Sequence, residues 1–323
     1  MAVPQGTRAP VIFVLEPFGG SIRRNNPNLP FIFWDDAAVT RGDGVFETLL
    51  IRDGKAANLR RHAERFRSSA RLLDMPEPDA EYWARATAEA AEAWVTERGE
   101  GVDAKCVWTY TRGRASTGFP SAWLVLSDIP QKTLDQRANG VKVMTTPRGF
   151  SVDTTLPGVD EVTRGGTGPG EERRVAPWLT VGAKTLNYAA NMAALRWAHA
   201  HGTDDVIYVD PRDVHPDKGP RVLEGATSTV VLAKSKKRLR TPVPGGEVLP
   251  GTTQAALFEH AEAAGWRCKA RDIYLRDLKT AESVWLVSSV RVAARVLSLD
   301  GKTLEVGGDP EEVRALIEGA LGS

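Results

Sequence analysis

Between residues 151 and 176 the chain includes Leu-Pro-Gly-Val-Asp-Glu-Val-Thr-Arg-Gly-Gly-Thr-Gly-Pro-Gly-Glu-Glu-Arg-Arg, a run with almost nothing to bury. Glycine, proline and charged residues leave no apolar face that offsets the entropy of ordering, so the stretch reads as a linker or surface loop. At 323 residues the chain exceeds one ordinary core. We therefore expect two domains, one over 1–150 and one over 177–323, with a hinge between them.

Both halves mix strand and helix patterns. Phe31–Trp34 and Val45–Ile51 read as strands, the second closed by the Asp53-Gly54 turn pair. Asn58 is placed to cap a helix through Leu73, with Leu59, His62, Phe66, Ala70 and Leu73 at helical spacing. Asp79–Arg98 is a second helix with Trp83, Ala86, Ala90 and Trp94 on one face. Lys105–Thr111, Ala122–Asp128 and Val141–Thr145 are further strands. After the linker come a helix over Leu186–His201 ended by Gly202, strands at Asp205–Val209 and within Arg221–Ala233, a helix over Thr252–Ala264, and a strand at Val284–Ser288. The pattern predicts an α/β (α+β) protein of two α/β domains.

Composition excludes several classes. Basic and acidic residues number 42 and 41, so no global field favours nucleic acid or an anionic membrane. No apolar run is long enough to span a bilayer, and the N-terminus has no signal-peptide pattern. Two distant cysteines, Cys106 and Cys268, suit a reducing cytoplasm, and the five histidines show no metal-ligand spacing. Arg41-Gly42-Asp43 is read as an incidental tripeptide, and Lys234–Arg240 as a solvated hairpin tip rather than a nucleic-acid contact. The expectation is a cytoplasmic enzyme with a small-molecule substrate and no metal.

Lys184 stands where extended chain gives way to a helix, behind Val181-Gly182-Ala183, whose small residues leave room beside the amine. Forty residues on, Glu224-Gly225 turns into a β-branched run. A lysine of this kind can form a Schiff base with a pyridoxal cofactor, and a carboxylate on a neighbouring strand can keep the ring nitrogen protonated. A phosphate needs donors. Leu249-Pro-Gly-Thr-Thr253 offers threonine hydroxyls and free amides at a helix start, or an ordinary threonine cap. Ser288-Ser289 closes a strand and can add donors, or form a plain turn. Arg65, one helical turn after His62, can pair with phosphate or remain solvated.

Taken jointly, Arg41–Thr48, His62-Ala-Glu-Arg65, Lys184–Tyr188, Leu223-Glu-Gly225 and Leu249–Thr253 resemble the class IV (fold type IV) pyridoxal-phosphate enzymes, over about residues 31–300. The resemblance implies pyridoxal 5′-phosphate on Lys184, Glu224 at the pyridine nitrogen, and Arg65, Thr252 and Thr253 at the phosphate with Ser289 nearby. It also implies Tyr188 at the ring hydroxyl, a site between the two domains, and a homodimer. That family includes branched-chain aminotransferases, D-amino-acid aminotransferases and 4-amino-4-deoxychorismate lyases. Phe46 stands where the D-amino-acid enzymes have a tyrosine that helps hold the substrate carboxylate. Their Arg-x-His carboxylate trap is absent from Arg112–Pro120. The stretches 183–231, 251–258, 285–289 and 293–301 resemble the lyase branch most, whereas Glu47 is more typical of the aminotransferases. Arg112 or Arg114 is a candidate for a substrate carboxylate, or a solvated loop arginine.

Overall fold

A computed structural model describes residues 8–16, 20–148 and 182–322. The expected linker at 151–176 lies outside them.

The first sheet contains β1 (Val11–Leu15), β2 (Ile22–Asn25), β3 (Gly44–Arg52), β4 (Lys55–Ala56), β5 (Ala104–Thr111) and β6 (Ser121–Asp128), with α1 (Ala37–Arg41), α2 (Leu59–Leu72) and α3 (Ala80–Arg98) between them. Its order is β2-β1-β6-β5-β3-β4, antiparallel throughout. Alternation along β3 sorts its side chains. Val45, Leu49 and Ile51 join Phe66 of α2 and Trp83 and Trp94 of α3 in one core, while Leu50 packs into a different core on the opposite side.

The second sheet contains β7 (Val141–Pro147), β8 (Asp205–His215), β9 (Gly219–Gly225), β10 (Thr229–Lys234), β11 (Arg238–Thr241), β12 (Arg267–Ala270), β13 (Ser283–Ser288), β14 (Val292–Leu299) and β15 (Lys302–Thr303). Its order is β12-β11-β10-β13-β14-β7-β8-β9, with β15 beside β14. Helices α4 (Gln131–Asn139), α5 (Ala189–Ala200), α6 (Thr252–Ala263), α7 (Leu275–Lys279) and α8 (Pro310–Gly319) accompany it. Both faces of β10 are buried: Val231 and Ala233 pack under α6 and α8, Val230 and Leu232 against Ile207 and Leu286. A strand covered on both sides is apolar without alternation, which is why residues 229–233 read as a continuous β-branched run.

Four features depart from the sequence reading. Phe31–Trp34 is not a strand: Pro27 and Pro30 withhold backbone donors, Trp34 is 80% exposed, and Asp36 caps α1 through the Ala38 amide. Asn58 begins α2 with φ 55°, but its side chain donates to the Ala320 carbonyl instead of capping the first turn. Helix α5 starts at Ala189, because Lys184–Leu186 is taken up by pairing with β3. Strand β7, grouped above with the first half, lies between β14 and β8, so the two sheets divide before Val141 and not at residue 150.

Candidate active site

The segment carrying Lys184 is added to the start of β3. Phe46 N–H donates to the Lys184 carbonyl, Leu186 N–H donates to the Gly44 carbonyl, and Thr185 bridges Val45. The Lys184 amide donates to Ser69 Oγ of α2 at 3.0 Å. Gly44 permits this approach: a Cβ there would lie 2.7 Å from the Tyr110 carbonyl oxygen and 2.9 Å from Leu186 Cδ1. The lysine is thus fastened at its backbone while its side chain enters a cleft of about 1030 Å³ between the two sheets.

Inside the cleft, Lys184 Nζ lies 4.3 Å from the centre of the Phe46 ring and 5.3 Å from that of Tyr188. The two rings meet edge to face at 5.2 Å. Burial, reinforced by Arg65 and opposed by Glu47 and Glu224, lowers the proton affinity of the amine to a pKa of about 8. A lysine so placed is substantially neutral, and hence nucleophilic, slightly above neutral pH. The Tyr188 hydroxyl donates to the Ala226 carbonyl at 3.3 Å, and burial pushes the phenol pKa up.

Glu224 enters from β9. One carboxylate oxygen accepts from the Leu249 amide at 3.0 Å and the other from Arg148 at 3.3 Å. Burial pushes its pKa up, against the pull of Arg148, the Leu249 amide and Lys184. Arg148, at the end of β7, is a site residue that the sequence reading did not name. No local pattern marks it, because only the order β7-β8-β9 brings it alongside Glu224.

The phosphate-type donors collect at the start of α6. Gly251 supplies no capping side chain, so the first amides of α6 have no acceptor within the helix. Thr252, Thr253 and Ser289 line the same cleft. Arg65 lines it too, but its guanidinium is largely committed. Nε and Nη2 each donate to Glu47 at 2.7 Å, and Nη1 donates to the Pro250 carbonyl at 2.8 Å. Glu47 is fully buried and also meets His62 Nδ1 at 2.7 Å. Burial alone would raise the Glu47 pKa, but Arg65 and His62 together outweigh it and hold the carboxyl at about 2. This Glu47–His62–Arg65 cluster was also not identified from sequence, although all three residues lie inside motifs quoted there.

Lys184, Glu224, Tyr188, Phe46, Arg65, Thr252, Thr253 and Ser289 therefore meet in one cleft. Arg112 and Arg114 do not line it. Arg112 is held by Asp43 at 2.8 Å and by the Leu73 and Asp74 carbonyls, and Arg114 by Asp35 at 2.8 Å with its guanidinium 3.9 Å above Phe33. Among the described residues no group of three metal-ligating side chains is found. An enclosed amine, a carboxylate across the cleft and uncapped helix amides fit pyridoxal 5′-phosphate. They offer an attachment point, a ring-nitrogen partner and anion donors.

Known proteins resemble this chain over most of its length. The model of the family described as amino-transferase class IV matches residues 44–299. A protein of Mycobacterium tuberculosis (strain H37Rv), named bifunctional aminodeoxychorismate lyase / D-amino acid transaminase, is 39% identical over 301 residues, 91% of this chain and 95% of its own. A solved structure described as a hypothetical aminotransferase from Mycobacterium tuberculosis in a PLP-bound form superposes with a TM-score of 0.82 at 39% identity, over 96% of this chain and 98% of that one. A second structure of the same description holds alpha-ketoglutarate and PMP. A putative aminotransferase from Corynebacterium glutamicum is 45% identical, with a TM-score of 0.71 over 97% of this chain and 99% of its own.

Proposed function

This chain belongs to the class IV amino-transferase family and is a pyridoxal-phosphate enzyme, and we propose that it acts as a 4-amino-4-deoxychorismate lyase, releasing 4-aminobenzoate and pyruvate in folate biosynthesis. The observation that carries the reading is the enclosed, weakly basic amine of Lys184 in one cleft with the half-buried carboxylate of Glu224. The name of the 39% identical relative supports the substrate. We include in the reading a homodimer working in the cytoplasm, which sedimentation velocity and fractionation would check.

When bound, the cofactor supplies an aldehyde carbon for attachment and a ring that accepts electron density from the amine-bearing carbon of the substrate. The rest falls to this chain. Lys184 Nζ would hold the cofactor and then, displaced by the substrate amine, take the proton from the amine-bearing carbon. Glu224 would keep a proton on the ring nitrogen, and Arg148 favours the ionised carboxylate against its burial. Thr252, Thr253, Ser289 and the α6 amides would hold the phosphate, with Arg65 at its edge. Phe46 and Tyr188 wall the amine. As the proton leaves, the adjacent C–O bond breaks. The enolpyruvyl group departs and takes up a proton as pyruvate, while the six-membered ring becomes aromatic.

A second reading has its own support. The same relative is also named a D-amino acid transaminase, and a structure of like description holds alpha-ketoglutarate. In a transamination, on branched-chain or D-amino acids, the same lysine would move the proton to the cofactor carbon instead, leaving the amino group behind. The purified protein is therefore incubated with aminodeoxychorismate and, separately, with 2-oxo acids paired with D-amino acids or with branched-chain amino acids. Pyruvate and 4-aminobenzoate formed without an acceptor support the lyase. Amino transfer alone, dependent on the acceptor, replaces it with the transaminase.

A further inference from the structure

Three polar groups from distant segments converge beside Arg65. His62 of α2 places Nε2 at 3.3 Å from Thr252 Oγ1 and 3.2 Å from Ser289 Oγ, and the two hydroxyl oxygens are 3.5 Å apart. On the other side of the ring, Nδ1 lies 2.7 Å from Glu47 Oε2. Glu47, held also by Arg65, is a buried carboxylate that only accepts. It therefore assigns the ring proton to Nδ1 and leaves Nε2 as an acceptor in the neutral imidazole. One of the two hydroxyls must then give its only proton to Nε2, and a single hydroxyl remains to donate into the cleft. On the imidazolium, Nε2–H donates instead, and both hydroxyls are free to point outward.

From this geometry we propose that His62 is a positioning residue whose protonation, driven by a bound phosphate ester, turns the Thr252 and Ser289 hydroxyls together onto that phosphate. The inference rests on the placement of the phosphate at Thr252 and Ser289 under Proposed function. The charged groups facing His62 are Glu47 from β3, Arg65 from its own helix and Lys184 from the paired segment; α6 and the turn after β13 contribute only hydroxyls. Burial lowers the imidazole pKa, Arg65 and Lys184 push the same way, and Glu47 opposes them. A phosphate ester carries nearly two negative charges at neutral pH, and its arrival shifts this balance toward the imidazolium. Binding is then linked to proton uptake and strengthens as pH falls, until His62 is already charged in the free protein.

Pyridoxamine 5′-phosphate has no aldehyde for Lys184 and isolates the phosphate grip. It is titrated calorimetrically into the full chain freed of cofactor, in buffers of different ionisation enthalpy, so that protons taken up per ligand are counted. The same titration is run on His62→Gln, whose amide stays neutral. Ionisations of the ligand and, apart from its coupling to His62, of Lys184 are common to both proteins and cancel in the difference. We expect the wild type to take up as much as about one proton more. The wild-type advantage in affinity then grows by up to about tenfold per pH unit as pH falls. Ser289→Ala provides a readout that does not depend on altering the buried ring. It should lose affinity by a similar factor at alkaline and at neutral pH, because one hydroxyl is subtracted from two on the imidazolium and from one on the neutral ring. Equal proton uptake in wild type and His62→Gln, or a Ser289→Ala protein that binds as tightly as the wild type, overturns the proposal. Pyridoxamine without phosphate binding as tightly as its phosphate ester overturns the phosphate placement itself. Failure of the lyase reading appears separately, in the product assay.

Discussion

At the scale of single residues, the site depends on charges held away from water. Lys184 has its proton affinity lowered from an ordinary 10.5 to about 8, chiefly by burial. The unfolded chain thus binds more protons than the folded one between those values, and cofactor-free stability rises with pH across that window. Below it the penalty is present in full; the shift corresponds to about 3 kcal/mol before contact of the cleft with water reduces it. Lys184→Met should therefore be the more stable cofactor-free protein by about 2 kcal/mol near neutral pH, a gap that urea titrations would see close toward pH 10.5. The same variant should never develop the absorbance of amine-bound cofactor. Glu47 shows the opposite sign. Its carboxyl is depressed from 4.5 to about 2, so its contribution is complete above 4.5 and is lost as pH falls toward 2. Glu47→Gln should flatten the acid limb of the stability profile in that window. Arg65→Ala strands the buried Glu47 carboxylate, at a cost of about 3–5 kcal/mol, besides loosening the cofactor. Adding Glu47→Gln to it should restore stability in denaturation but leave cofactor retention weak. A double variant that retains cofactor normally would remove Arg65 from the phosphate end.

At the scale of elements, the site depends on one irregular pairing. Most helices and strands were legible because their signals are local: the Asp53-Gly54 turn has both residues at positive φ, and Asp79 caps α3 through the Glu81 and Tyr82 amides. The basic run 234–240 likewise forms the turn between β10 and β11, with Lys236 and Lys237 at positive φ. Phe31–Trp34 shows where such reading fails, since an apolar tetrapeptide becomes a strand only if a partner strand and a covering layer exist. The pairing of residues 184–186 with Gly44–Phe46 has no local signal at all, because its two halves are about 140 positions apart. Gly44→Ala tests it directly. The added methyl meets the Tyr110 backbone and Leu186, and we expect a loss of about 1–3 kcal/mol, with slower cofactor capture as the lysine segment is displaced. Unchanged capture kinetics would show that the pairing does not position the amine.

At the scale of the whole molecule, the two sheets are joined by shared packing as well as by the cleft. Leu50 leaves the core of its own sheet and is completely buried in a cluster with Leu257 of α6 and Trp285 and Val287 of the second sheet. Leu50→Ala should cost about 2–5 kcal/mol, and denaturation followed by far-ultraviolet dichroism and by tryptophan fluorescence should remain one coincident transition. Separate transitions would mean that the sheets unfold independently. By itself the sequence determined the alternation of strands and helices, the lysine, the carboxylate and the helix start that gather at the cleft, because periodicity, turn chemistry and capping act between neighbouring residues. Only the tertiary structure decided that β7 joins the second sheet, that Arg148 reaches Glu224, that Arg112 and Arg114 are held elsewhere, and that Glu47, His62 and Arg65 share one buried network. Those outcomes follow from strand order and from contacts across long stretches of chain, where the cost of burying a charge is set by partners that no local pattern contains.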